Sequence, residues 1–189
     1  MALSFSVDNF LSIVKKRGGL QSPNRYSVYF GLPTKASLDV GVANDLSFLA
    51  QNIVFTGRSI ATSDYKFYGP IQKIARESIY TDMAITFILT GDMSQRKFFD
   101  KWLHYINNTE SFDIEYYDNY KANIYIGQLK PDGDMKIFNG SNVNDFSYAQ
   151  QIEDAFPTNI GEITLGYDQN NTYGTLTVSF TFRKYKNLY

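Results

Sequence analysis

Three pairs of carboxylates stand close together in the sequence: Glu115 with Asp118, Asp132 with Asp134, and Glu153 with Asp154. Paired acids hydrolyse glycosidic bonds when two carboxyls flank a cleft about 5 to 10 Å apart. These acids sit in or beside turn-forming residues, where Asp serves local hydrogen bonding. Asp132, Gly133 and Asp134 reproduce only a fragment of a calcium loop's ligand spacing. His104 is the sole histidine, and it falls among aromatics in a helical pattern, which favours a structural role over a catalytic one. With no cysteine in the chain, disulfides, iron–sulfur clusters and thiolate zinc sites are excluded. No Gly-rich phosphate loop, nucleophile elbow or His/Glu metal motif occurs. The residues therefore describe a chain that is not an enzyme and holds no cofactor or metal.

The elements around these residues are mostly strands. The clearest alternation lies near the end, where Leu176, Val178, Phe180 and Phe182 fall on one face and Thr175, Thr177, Ser179 and Thr181 on the other. That is the pattern of a strand with one face on a core and one in water. Ile163, Leu165 and Tyr167 alternate just before it, and residues 168–171 are polar, so the spacing predicts a long β-hairpin. Further strands are predicted over 25–31, 46–55, 71–77, 81–89, 112–117, 121–129, 135–138 and 146–156. Residues 56–70 form an extended excursion between Gly57 and the Gly69–Pro70 pair. Lys130 to Asp134 read as a turn, with Pro131 presetting φ and Gly133 supplying a left-handed position. Residues 139–145 form a polar loop.

Two helices are predicted. Residues 6–17 are amphipathic, with Val7, Phe10, Leu11 and Val14 on one side and Gly18–Gly19 as the stop. Residues 93–106 carry Phe99, Trp102, Leu103 and Ile106 at helical spacing, with Asp92 and Gln95 in a capping-box arrangement. There is no internal repeat or linker. The 189 residues make one mostly-β domain with one main helix, large enough to bury roughly 70% of its unfolded surface.

Composition narrows the function further. Thirty Phe and Tyr residues and Trp102 make the chain aromatic-rich, a bias that suits strands and interfaces. A net charge of −1 argues against gripping nucleic acid through its phosphates. The charge is uneven: residues 1–108 hold 12 Lys and Arg against 8 Asp and Glu, while residues 109–189 hold 6 against 11. Opposite faces of that kind allow head-to-tail self-association. No stretch approaches the roughly 20 apolar residues of a membrane helix. The first residues place positive charge after the apolar part, the reverse of an export signal, so the chain reads as cytosolic where it is made.

Several segments resemble, in order, the tail tube proteins of contractile-tailed phages of the T-even type. Gly19 to Tyr26, with the Pro23–Asn24 pair, is similar to the family's entry into its first strand. Gln95 to Trp102 resembles its helix of basic, aromatic, acidic and Trp residues. Ile124 to Leu129 with the following turn resembles its mid-chain hairpin. Phe156, Pro157, Thr158, Asn159, Ile160 and Gly161, then Leu165, Tyr167–Asp168, Asn170–Asn171 and the last alternating strand, form the strongest match. The sequence departs from the pattern around 139–148, which is longer, and in its Tyr-rich tail.

The resemblance implies a single tail tube domain with a β-sandwich or barrel-like fold, one main flanking helix and a short N-terminal helix. It implies hexameric rings that stack into a tube for DNA ejection, a virion component whose partners are other copies of itself, the tail sheath protein, the baseplate hub, the tube terminator, the tape-measure protein and transiting DNA held without specific binding. It makes 56–70 the segment that meets the next ring and assigns inter-subunit contacts to Phe5, Phe10, Arg58, Ile60, Asp64, Tyr65, Phe67 and Tyr185, with 1–19 and 185–189 as an arm and a tail. A tube-like baseplate or tube-end protein, or the tube of a contractile secretion or injection machine, is the alternative. A carbohydrate-binding β-sandwich is a more remote one.

Overall fold

The structure, a computed structural model, describes residues 6–134 and 136–188. Its elements in chain order are helix α1 (Val7–Lys16), strand β1 (Tyr26–Phe30), helix α2 (Val40–Leu49), strands β2 (Ala50–Ile53), β3 (Arg58–Tyr65), β4 (Gln72–Tyr80) and β5 (Met83–Ile88), helices α3 (Ser94–Ile106) and α4 (Tyr117–Tyr120), then strands β6 (Ala122–Leu129), β7 (Phe146–Ile160), β8 (Thr175–Thr181) and β9 (Lys184–Leu188).

One antiparallel sheet of order β1-β6-β7-β8-β5-β2 forms the body. It folds on itself because β7, 15 residues long, serves both layers. Its first part pairs with β6 on one edge and β9 on the other, and its last residues, from Phe156 to Ile160, pair with β8. The switch falls at Asp154, which takes a left-handed φ of 58°. A bulge there re-aims the strand and sharpens the bend. The two free ends of the sheet then meet: the Tyr26 hydroxyl on β1 lies 2.8 and 2.6 Å from the carbonyl oxygens of Ala50 and Gln51 at β2.

Between the layers lies one apolar core. Val28 and Phe30 of β1, Ile124 and Ile126 of β6 and Ile152 of β7 face Ile85 and Phe87 of β5 and Leu176, Val178 and Phe180 of β8. Helix α3 closes it with Phe98, Phe99 and Trp102; the Phe99 ring sits 5.2 Å from Phe87 and 5.9 Å from Phe180. The buried Trp102 indole N–H donates to the Tyr120 carbonyl at 3.0 Å. The residues after β6 wrap back over the outer face of β6 and β7 to make a second small core of Leu129, Phe138, Phe146 and Ala149. Gly127 is required there, since a Cβ would stand 2.5 Å from Phe146 Cδ1.

Several expectations are corrected. The strand expected over 46–55 starts only at Ala50, because residues 40–49 are a helix: Asp39 caps it by accepting from the Gly41 N–H at 2.8 Å, and Ala43 and Leu46 are buried in the core. Of the strand expected over 112–117, residues 112–116 are a loop and Tyr117 opens α4; the loop is held by the Asn108 side chain, which accepts from the Glu110 N–H at 2.9 Å, and by a lone bridge from Ile114 to Asn107. Residues 136–138 are not a strand; their backbone is tied instead to the Ser27 hydroxyl through the Phe138 N–H at 2.9 Å. Met135 lies outside the described residues.

In the final hairpin the strand opposite β8 is the end of β7, and 161–174 is loop. Gly161 still bonds Thr177, but its own carbonyl is taken by Arg96 of α3 at 2.9 Å, which turns the chain away. Gly133 has no positive φ; the 130–134 turn is held by the Arg25 guanidinium on the carbonyls of Pro131 and Gly133. At the start of α3, Gln95 reaches back to Thr90 rather than to Asp92.

Candidate assembly surface

The carboxylate pairs are structural. Glu115 accepts from the Tyr116 N–H and the Asn119 amide at 2.9 and 2.8 Å, and these bonds, the Asn119 one foremost, hold its carboxyl below the usual range. Asp132 and Asp134 are exposed on their turn. Glu153 and Asp154 lie inside β7, not in a turn, within an ion-pair network: Asp154 meets Lys121 at 3.2 Å and Arg183 at 2.6 Å, and Glu153 meets Lys184 at 3.2 Å. Lys121 also meets Asp118 at 2.7 Å, which lowers that carboxyl's pKa and raises the lysine's. This network pins the bulge on which the sheet's fold-back depends. His104 is exposed, against expectation, 3.4 Å from the Thr109 hydroxyl at the edge of a shallow depression. Among the described residues no group of three or more His, Cys, Asp or Glu is placed to hold a metal.

The unusual surface lies elsewhere. β3 and β4 form a separate two-stranded sheet that stands off the body. It continues the excursion expected at 56–70 through Tyr80. At about 3.3 Å per residue, the eight-residue β3 makes an arm roughly 26 Å long. The arm is anchored at its root only: Phe55 packs edge-on against Tyr148 at 5.1 Å, Thr56 bonds Gln150 at 3.3 Å, and Tyr80 stacks on Phe182 and Tyr185 at 5.9 and 5.5 Å. Along its length every residue of the two strands except Ala61 and Tyr80 is exposed. An isolated hairpin of this kind is marginal in water.

The register sorts its side chains. Ser63 pairs with Ile74, Ser59 with Ile79 and Tyr65 with Gln72, putting Tyr65, Ile74 and Ile79 on one face. Arg58, Ile60 and Asp64 fall on the other, with Asp64 opposite Lys73. Ile60 and Tyr65 are thus on opposite faces, which the sequence alone did not separate. Phe67 and Tyr68 at the tip are 89% and 97% exposed.

Helix α1 is the second such element. Ser6 caps it, accepting from the Asn9 N–H at 3.2 Å, and Gly18 and Gly19 end it at φ 85° and 91°. It buries no residue, and Phe10 is 54% exposed. Phe5 lies outside the described residues. Tyr185 sits in β9, half-buried against Tyr80 and opposite Ile152 of β7, so most of the expected tail is a strand of the body. Sequence reasoning missed Leu165 and Tyr167, which it placed in a strand and which are fully exposed in the loop, and Ile74 and Ile79, which stand five apart and share a face only through the register shift at Ala61/Thr62, so no period of two announced them.

A third surface has the opposite character. On the outer face of β8, β5 and β2, Thr175, Thr177, Ser179 and Thr181 lie beside Ala84, Thr86 and Asn52. Thr86 and Thr177 hydroxyls are 3.0 Å apart. No charged side chain occurs at these paired positions.

A family model described as phage tail tube protein matches residues 21–188. Among solved structures, the chain resembles one from the anti-feeding prophage baseplate (TM-score 0.60, 13% identity, covering 89% of this chain and 97% of the other). It also resembles a chain from the sheath/tube terminator of an extracellular contractile injection system (0.57, 13%, 90% and 97%) and one from the sheath-tube complex of such a system (0.55, 15%, 98% and 99%). No curated protein matches the chain.

Proposed function

Because the chain belongs to the phage tail tube protein family, a virion component, we propose that it is the wall subunit of a tail tube, closing in sixes into rings that stack around a channel for DNA. The observation that carries this reading is the hairpin: an arm with apolar residues on both faces and aromatics at its tip, supported by its own chain only at the root. Burying such a surface against a neighbour stabilises both. Phe10 on α1 and Arg58, Ile60, Asp64, Tyr65 and Phe67 on the hairpin are the contact residues; Tyr185 acts from the root, by fixing the arm through Tyr80. Strands β1, β2 and β9 each pair on one side only among the described residues, and joining such edges between copies closes a continuous inner barrel. The uncharged hydroxyl face of β8 and β5 lines the channel in this reading. It offers DNA no cation to release counterions against, so the strand slides.

Sheath, baseplate hub, terminator and tape-measure proteins are the partners the tube would meet, after assembly in the host cytoplasm. A second reading keeps the fold and changes the place: a ring at the tube's end or in the baseplate. It is supported by the likeness to chains from a baseplate and a tube terminator. In a contractile injection machine the same tube would carry effectors in place of DNA. A sugar-binding role is disfavoured because Trp102 is committed to the core.

Negative-stain microscopy and sizing of the purified protein separate these readings. Tubes support the wall subunit, single rings of six support the tube end, and a protein that stays monomeric at every concentration overturns both.

A further inference from the structure

Strands β2 and β5 run between the hairpin's root and a depression on the other side of the body. β2 starts at Ala50, where α2 ends, and leads by way of Phe55 and Thr56 into the hairpin; β5 returns from it at Met83 and ends at Ile88, before α3. The pairs Ala50–Phe87 and Ile53–Ile85 hold them side by side. Six residues of β5 set the two sites about 20 Å apart, at opposite ends of the same strands.

The depression is lined by Asp45, Phe48, Leu49, Thr90, Asp92 and Gln95, with Ser94 at its rim. Phe48 is 73% exposed in the last turn of α2, whose Ala43 and Leu46 are in the core. Two carboxylates and no cation line it. Gln95 is only 1% exposed; its Oε1 accepts from the Thr90 N–H and hydroxyl, but its Nε2 has no partner among the described residues. A buried donor left unpaired is destabilising, and an incoming acceptor removes the penalty.

The tip of the hairpin is complementary on each count. Residues 66–71 follow the last ladder pair, Tyr65–Gln72, and none of their backbone carbonyls accepts a hydrogen bond among the described residues. Lys66 and Lys73 flank the exposed Phe67, Tyr68 and Ile71.

We propose that the tip of one copy's hairpin seats in this depression on a copy in the next ring, with the Phe67 ring against Phe48 and Leu49, Lys66 toward Asp45 and Asp92, and a tip carbonyl accepting from Gln95 Nε2. The inference rests on the tube reading and adds to it the receiving surface. Plug and socket at opposite ends of two strands make a heterologous contact that cannot close between two copies, so it propagates along an axis. The charge pair steers the approach and the aromatic contact holds it.

The absence of cysteine allows a direct test. Lys66→Cys and Asp45→Cys chains, mixed and treated with a short bis-maleimide cross-linker, yield a linked pair on a denaturing gel, because the ion pair brings the two positions within the linker's reach. Lys66→Cys mixed with Glu110→Cys, at the far end of α3, is the control; equal yields in the two mixtures overturn the proposal. In parallel, Asp45→Lys and Phe48→Glu each weaken ring stacking by on the order of tenfold while leaving rings intact, and Lys66→Glu restores stacking in the Asp45→Lys background. Wild-type protein that makes tubes alongside Asp45→Lys and Phe48→Glu tubes of equal length overturns the socket and leaves the tube reading standing. Wild-type protein that never forms a ring overturns both.

Discussion

Trp102 and Lys121 are the residues on which most of the fold's local geometry converges. Trp102 is fully buried, edge-on to Phe98 and Phe180 at 6.0 and 6.5 Å, and its N–H ties α3 to Tyr120, the last residue of α4. Trp102→Ala removes a large ring from a closed core and strands the Tyr120 carbonyl, so a loss of about 3–5 kcal/mol in denaturant unfolding is expected. Lys121 bridges Asp118 and Asp154. Asp118, held below its usual pKa by the lysine, contributes stability that is present above about pH 4 and is lost as pH falls through its folded value. Lys121, raised by Asp118 and Asp154, contributes stability that is present below about pH 10.4 and is lost as pH rises through its folded value. Lys121→Met is therefore expected to be less stable than wild type by a constant margin between about pH 5 and 9, with the gap narrowing toward both extremes. Urea midpoints measured across pH check this; a gap that persists in strong acid means that lost packing, not charge, is responsible.

At the scale of elements, the hairpin separates folding from assembly. Its residues are exposed in the single chain, so Ile60→Glu and Tyr65→Glu are each expected to change unfolding free energy by less than about 0.5 kcal/mol. Their effects on assembly differ because they lie on opposite faces. Tyr65→Glu, placed among Ile74 and Ile79, is expected to stop stacking, and Ile60→Glu to weaken it. The reverse order in sedimentation of assembled protein would put the covered face on the Arg58 side. How readable each element was from sequence follows from what stabilises it. The strand over 175–181 was legible because a half-buried strand in a two-layer body imposes a period of two on its own residues. α2 was not: its residues include Gly, Val and Asn, poor helix formers, and the helix exists because Asp39 caps it and β1 offers a surface for Ala43 and Leu46. The alternation of Ile163, Leu165 and Tyr167 misled for the same reason in reverse, since β8 takes the end of β7 as its partner and not 163–167.

For the whole molecule, the question is what distinguishes the inside of a conduit from its outside. The outer face of β8 and β5 presents hydroxyls and no cation at its paired positions, with the Asp82 carboxylate accepting from the Thr181 hydroxyl at 2.8 Å, so replacing Thr86 and Thr177 with Lys is expected to leave tubes that form normally but retain DNA in a salt-dependent way. DNA retention by the variant tubes that does not weaken with salt, or no retention at all, would show that this face is not the channel wall. The segment after β6 belongs to this scale too. The sequence reads there as a turn, a short strand over 135–138 and a polar loop, yet Phe138 is fully buried outside any strand and gives β6 a second covered face.

By itself the sequence determined the class of protein: many short strands, one aromatic-striped helix, and an ordered set of segments shared with a tube-forming family. Those features are local, written in residue types and in side-chain periods of 2 and 3.6 that survive without knowledge of any neighbour. Only the tertiary structure decided that β7 divides at Asp154 between two layers, that the excursion is a free-standing arm with unlike faces, and that a buried amide without a partner faces an acidic depression at the opposite end of the strands that carry the arm. Each of these depends on which segments lie side by side in space, and pairings between distant parts of a chain leave no period behind in its sequence.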